Sequence, residues 1–101
     1  MPINVVLQQE GGKVLEQVID FRADLATVWP IDNPSFPLLQ YIDPYGNTFF
    51  NGRQMPQVIR ELNSLIGNTS NDSCVLLLRQ VEQLAERCRD NPHEYLRFEG
   101  D

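Results

Sequence analysis

The sequence predicts an α+β fold: a small antiparallel sheet of about five strands with two helices packed on one face. Three features lead there. Apolar and polar residues alternate near both ends of the chain, apolar residues recur at helical spacing in two segments between Met55 and Cys88, and the turn signals Gly11-Gly12 and Asp43-Pro44-Tyr45-Gly46 separate the strand-like runs. At 101 residues, with 42% hydrophobic and 22% charged side chains, the chain reads as a single domain over residues 1–101 that closes one core without disulfides or metals.

Residues 3–19 contain two apolar runs joined by Glu10-Gly11-Gly12-Lys13, and the two glycines supply the positive φ angles of a tight hairpin, although Val14, Leu15, Val18, Ile19 and Leu25 also fit a helical stripe. Residues 23–30 form a short helical turn presenting Leu25, Val28 and Trp29, which Pro30 ends. A proline-rich stretch through Pro37 follows as an extended surface connection. Trp29 and Phe36 flank it, and both are candidates for pinning it to the sheet.

Residues 38–50 read as a second hairpin around a type I turn, with Pro44 at its second position and Gly46 left-handed. The implied register sets Asp43 against Asn47, Ile42 against Thr48, Tyr41 against Phe49 and Gln40 against Phe50. Apolar residues on both sides of that pair predict an inner hairpin covered on both faces. Tyr45 alone points to solvent from the tip.

Met55, Val58, Ile59, Leu62, Leu65 and Ile66 give the clearest helical stripe, with Gln57, Arg60, Glu61 and Asn63 expected on the opposite face. Pro56 suits its first turn, Gly67 and Asn68 its end, and Asn51 with Gln54 a capping box before it. Asp72 is the expected cap of the second helix, whose stripe runs through Leu77 or Leu78, Val81, Leu84, Ala85 and Cys88 to a stop at Asn91-Pro92. The short polar connector makes the helices an antiparallel pair. In the tail, Leu96 and Phe98 alternate with Tyr95, Arg97 and Glu99 as a last strand, and Glu99, Asp101 and the terminal carboxylate form an anionic cluster.

Fourteen acidic against 8 basic side chains give a net charge of −6, a field that repels phosphate backbones and disfavours nucleic acid as a partner. No apolar run is long enough to cross a bilayer and no signal sequence is evident, so a cytoplasmic protein is expected. Cys74 and Cys88 share one helix roughly 21 Å apart. That rules out a bridge between them there and favours buried thiols.

Enzyme signatures are missing: no phosphate loop, no nucleophile elbow, and a single histidine, His93. Pairing Cys88 with His93 as a dyad or metal site is disfavoured at a helix C-terminus, where the partial negative charge opposes a thiolate. Asp20, Asp24, Asp32 and Asp43 are the carboxylates from which an acid and base pair would be drawn, and Asp43 already has a turn role.

The residues Asp43-Pro44-Tyr45-Gly46, the spacing from Asn51 to Gln54-Met55 and the ending Tyr95-Leu96-Arg97-Phe98-Glu99-Gly100-Asp101 resemble a family of small uncharacterised bacterial proteins with a DPYG hairpin, an NxxQM helix entry and a YLRFxGD end. The resemblance covers Phe36 to Ile66 and Arg87 to Asp101. It implies a bacterial origin and a single α+β domain, and it transfers no catalytic residue.

The expected function is a non-enzymatic protein-binding module, in a more specific version an immunity or inhibitor protein covering a basic toxin. Its contact residues would be Tyr45, Asn47, Asn51, Arg53 and Trp29, its partner a protein of basic character or a second copy in a homodimer, and it would need no cofactor or metal. The competing expectation is a small enzyme or ligand-binding domain with a pocket formed by Asp43, Asn47, Asn51 and Arg53.

Overall fold

A computed structural model describes residues 2–100. Strands β1 (Asn4–Gln9), β2 (Val14–Val18), β3 (Asn47–Asn51) and β4 (Glu94–Glu99) form one antiparallel sheet in the order β2-β1-β4-β3, and helices α1 (Met55–Gly67) and α2 (Asp72–Asp90) lie between β3 and β4 in the chain. The sheet has four strands rather than about five.

The period of two sorts its residues cleanly. Val5, Leu7, Val18, Phe50, Leu96 and Phe98 occupy one face and join the helix residues Val58, Leu62, Leu78, Val81 and Cys88 in a single core. The other face, which no helix covers, carries Gln17, Val6, Arg97 and Phe49 across the four strands.

The first hairpin forms as a strand pair, with Gly12 at φ 97° and its amide donating to the Gln9 carbonyl, while Gly11, expected to share the positive φ, does not have one. A bulge between Leu7 and Gln8 breaks its ladder. The last strand also forms as expected, and it is central: β4 bonds β1 on one side and β3 on the other.

The expected hairpin over 38–50 does not form. Leu39–Tyr41 is a short 3-10 turn, and β3 takes its only strand partner from β4, so none of the four pairings expected across the Pro-Gly turn exists. The reason lies in Glu61. Its carboxylate is buried and accepts the amides of Leu38 at 3.1 Å and Leu39 at 2.9 Å, giving those donors a partner that a strand would otherwise have supplied. The turn also puts Leu39 and Ile42, three residues apart, into the core together. Glu61 therefore does not sit on the solvent face of α1, as its place in the helical pattern implied.

Other details differ locally. Residues 23–29 make successive tight turns in place of one helical turn, and residues 30–37 are likewise tight turns, not an extended connection. The Asp20 carboxylate, buried, binds the amides of Asp24 and Leu25. Trp29 and Phe36 do pack against the core, and Trp29 meets Phe98 edge-on at 5.2 Å between ring centroids. The capping box of Asn51 and Gln54 is present, whereas α2 is capped by the Asn71 side chain on the Cys74 amide, leaving Asp72 as the first helical residue.

The Asp43-Gly46 turn forms, with the Asp43 carboxylate accepting the Tyr45 amide at 2.8 Å and the Gly46 amide reaching the Asp43 carbonyl at 3.4 Å. Gly46 is not left-handed, since Gly12 is the one described glycine with positive φ. The glycine that this turn requires is Gly100: a Cβ there would stand 2.5 Å from the Asp43 carbonyl oxygen and 2.6 Å from the Pro44 carbonyl carbon. Its amide donates to the Gly46 carbonyl at 2.7 Å. The two ends of the sequence pattern, DPYG and the Gly of the tail, are thus one contact.

Candidate functional site

Four of the five residues expected to contact a partner lie along β3 and its two flanking turns. Tyr45 is at the tip of the entry turn and 74% exposed. Asn47 and Asn51 are exposed positions at the two ends of β3, and Arg53 is exposed in the 3-10 turn that leads into α1. Trp29 is the exception. It is 5% exposed and belongs to the core, because the turns after Asp20 fold it under the sheet against Phe98.

The competing pocket does not assemble from its four residues. Asn47 and Asn51 are separated by four strand steps, roughly 13 Å, and the Asp43 carboxylate is engaged inside its own turn. Asn51 and Arg53 instead line a groove of about 400 Å³ with Gly52, Arg89, Pro92 and Tyr95. Gly52 lets this wall close, since a Cβ there would come within 3.1 Å of the Cys88 carbonyl oxygen on α2. The groove is a basic spot on an acidic protein. Arg89 is held by Asp90 at 3.0 Å, while Arg53 has no ion pair among the described residues.

The backbone of β3 carries further information. The Gly100 to Gly46 hydrogen bond sets the phase of the β3-β4 ladder, so that Thr48 and Phe50 exchange bonds with Phe98 and Leu96. Asn47, Phe49 and Asn51 then turn their N–H and C=O groups toward the free edge. The amide of Asn51 is taken by Gln54 Oε1 at 2.9 Å, and the amide of Tyr45 by Asp43. With the Asn51 carbonyl used by the 3-10 turn that Asn51 caps, what remains is four outward groups, the N–H and C=O of Asn47 and of Phe49.

From Gly46 to Gly52 the chain has no ionisable residue, no proline and no bulge, three of the devices that protect an edge strand; the Asp43 amide donates to the Thr48 hydroxyl at 2.8 Å. The opposite edge, β2, is guarded by the bulge beside Gln8 and by Glu16, which pairs with Arg87 at 3.2 Å. Phe49 on this strand is 51% exposed and Tyr41 in the preceding 3-10 turn 70% exposed. Both were expected to pack within a covered hairpin; with no second strand there, they are free.

The remaining candidates are structural. Cys74 and Cys88 are buried free thiols. Burial, then Asp24 and Asp20, raise the Cys74 thiol, and burial followed by Glu94 pushes Cys88 up to about 11. His93 turns to Glu10 at 3.2 Å, away from Cys88, whose thiol lies 3.4 Å from the Glu94 carbonyl. Asp20 and Asp24 meet only through the backbone amide that Asp20 accepts. No cluster of three His, Cys, Asp or Glu that could hold a metal occurs among the described residues. No helix among them is long and apolar enough to cross a membrane. The anionic cluster expected at the C-terminus includes Asp101, which lies outside the described residues; Glu99 itself pairs with Arg97 at 2.9 Å.

Raised thiols have a consequence for pH. The unfolded Cys88 ionises near its usual 9.0 and the folded one only near about 11, so the folded state holds the extra proton between those values. Its contribution to stability is fully present below pH 9 and is lost as pH rises through that window. Urea midpoints of wild type and Cys88→Ala are expected to differ less at pH 10.5 than at pH 8. In the folded chain at pH 8, iodoacetamide is expected to modify Cys88 at least about a hundredfold more slowly than in urea.

One aromatic had no role in the sequence reading. Phe21 is 88% exposed and lines a depression of about 240 Å³ with Ile19, Arg22, Leu76 and Leu77. Its place after the end of β2 gave no periodic signal. Comparison with protein-family models, curated proteins and solved structures gave no match.

Proposed function

We propose that this chain is a protein-binding module whose contact surface is the free edge of β3 with its flanking turns. The observation that carries this reading is the uncharged, unbulged edge at Asn47 and Phe49, with four backbone groups turned outward beside exposed Tyr45 and Phe49. Such an edge binds an extended segment through main-chain hydrogen bonds, and side chains on alternate positions supply selectivity.

A non-enzymatic role fits the use of the acidic side chains. The buried carboxylates Asp20 and Glu61, and the exposed Asp43 in its turn, hold backbone amides. The net charge of −6 favours a basic protein among foreign partners and speeds encounter with it.

The test is quantitative capture from the host, untagged copies of this chain included, by wild type and by Phe49→Glu. Glu at position 49 stands opposite Arg97 on β4, which keeps the folded chain intact, while it places a charge on the edge. Specific capture by wild type that falls at least about tenfold in the variant is expected. Equal capture by both proteins would overturn the assignment of this surface.

A further inference from the structure

We infer that the partner strand at the β3 edge is β3 of a second copy of this chain, paired antiparallel about a two-fold axis at Thr48. This rests on reading the edge as a protein contact, and it follows from counting the free groups.

An antiparallel partner must oppose outward-facing residues with outward-facing residues. Only one self-pairing uses all four free groups and none already engaged: Asn47 opposite Phe49 of the second copy, Phe49 opposite Asn47, and Thr48 opposite Thr48 on the axis. Shifting the axis to Phe49 would require Asn51, whose amide Gln54 holds. Shifting it to Asn47 would require Tyr45, whose amide Asp43 holds.

The surroundings agree with that axis. A chain of net charge −6 repels its own copy, yet the strip from Gly46 to Gly52 that would meet itself is neutral, so the repulsion is not focused there. Asp43 and Arg53 lie at equal separations in sequence on either side of Thr48. The two-fold therefore brings the acidic end of each edge to the basic end of the other.

Tyr45 and Asn51 are likewise equidistant from Thr48. Exposed Tyr45 of one copy is directed to the groove of the other, whose walls include Arg53, Arg89 and Tyr95. A tyrosine ring there meets an aromatic face and two guanidinium groups, both favourable contacts for it. Each copy offers the aromatic and the groove, as a two-fold contact requires.

Sedimentation of the full chain over a concentration series tests the inference, with disulfide trapping to fix the register. Wild type is expected to pass from one-chain to two-chain mass as concentration rises. Phe49→Glu is expected to associate at least about tenfold more weakly at unchanged circular dichroism and melting temperature.

Asn47→Cys mixed with Phe49→Cys under oxidised glutathione is expected to give a linked pair, because those positions face each other at about 5.5 Å between Cα atoms. Neither variant alone should link as efficiently. Cys74 and Cys88, being buried, do not compete.

A wild type that stays a single chain at every concentration overturns the self-pairing, and so does trapping of Asn47→Cys with itself as efficiently as with Phe49→Cys. If that single-chain protein still loses host capture on Phe49→Glu, the contact surface stands and its occupant is foreign. If neither self-association nor capture responds to Phe49→Glu, the surface itself is wrong.

Discussion

Glu61→Ala is expected to destabilise the fold by about 2–4 kcal/mol, a large effect for a residue that the helical pattern places among solvent-facing positions. The carboxylate is 4% exposed and gathers three donors: the amides of Leu38 and Leu39 and the side-chain amide of Gln57 at 2.8 Å. Truncation leaves two backbone N–H groups without an acceptor in a partly buried segment, and the penalty for unmet donors exceeds the value of the bonds lost.

Glu61→Gln retains one acceptor oxygen and should lose roughly half as much. Urea midpoints measure both variants, and amide hydrogen exchange at Leu38 and Leu39 locates the damage. If those two amides remain as protected in Glu61→Ala as in wild type, the account of why residues 38–42 turn instead of extending is wrong.

Phe98→Ala is expected to cost about 3–5 kcal/mol, out of a total stability that for a domain of this size is about 5–15 kcal/mol. Phe98 is fully buried on the central strand and meets two rings edge-on, Trp29 at 5.2 Å and Phe50 at 5.7 Å. Its loss opens a cavity that neither neighbour can fill without leaving its own place, and it removes both edge-to-face contacts. Trp29 is the single tryptophan of the chain. Its fluorescence should shift to the red and become easier to quench in the variant. A blue, protected emission with a melting temperature within a few degrees of wild type would show that the site collapses onto itself.

Much of the architecture was legible because it is periodic. Val58, Leu62 and Leu65 announce α1, Leu96 and Phe98 announce β4, and Gly12 announces the first turn, each through spacing that only one element satisfies. The region 38–46 failed for the opposite reason. Leu39, Tyr41 and Phe49 have the composition of a hairpin, and what prevents one is a carboxylate 22 residues from Leu39 in sequence.

Long-range capping leaves no local trace, so neither the 3-10 turn at Leu39 nor the burial of Glu61 could be read from spacing. The same error hid the edge. Tyr45, Asn47, Asn51 and Arg53 lie along β3 and its two flanking turns, but with β3 expected inside the sheet their common feature, a strand with one open side, has no sign in the spacing. Trp29 suits packing beneath the proline-rich segment better than a partner contact, and the turns after Asp20 place it in the core.

The position of β4 has a temporal consequence. Although it follows the other three strands in sequence, it stands between β1 and β3, so the sheet cannot close until synthesis has passed Glu99. Until then β3 has two open edges in place of one, and its neutral Asn-Thr-Phe-Phe-Asn segment is exposed to other nascent chains. Assembly of the sheet therefore waits on the arrival of six residues, Glu94–Glu99. Conditions that slow the departure of this segment from the ribosome should cost soluble yield before they cost anything in the finished protein.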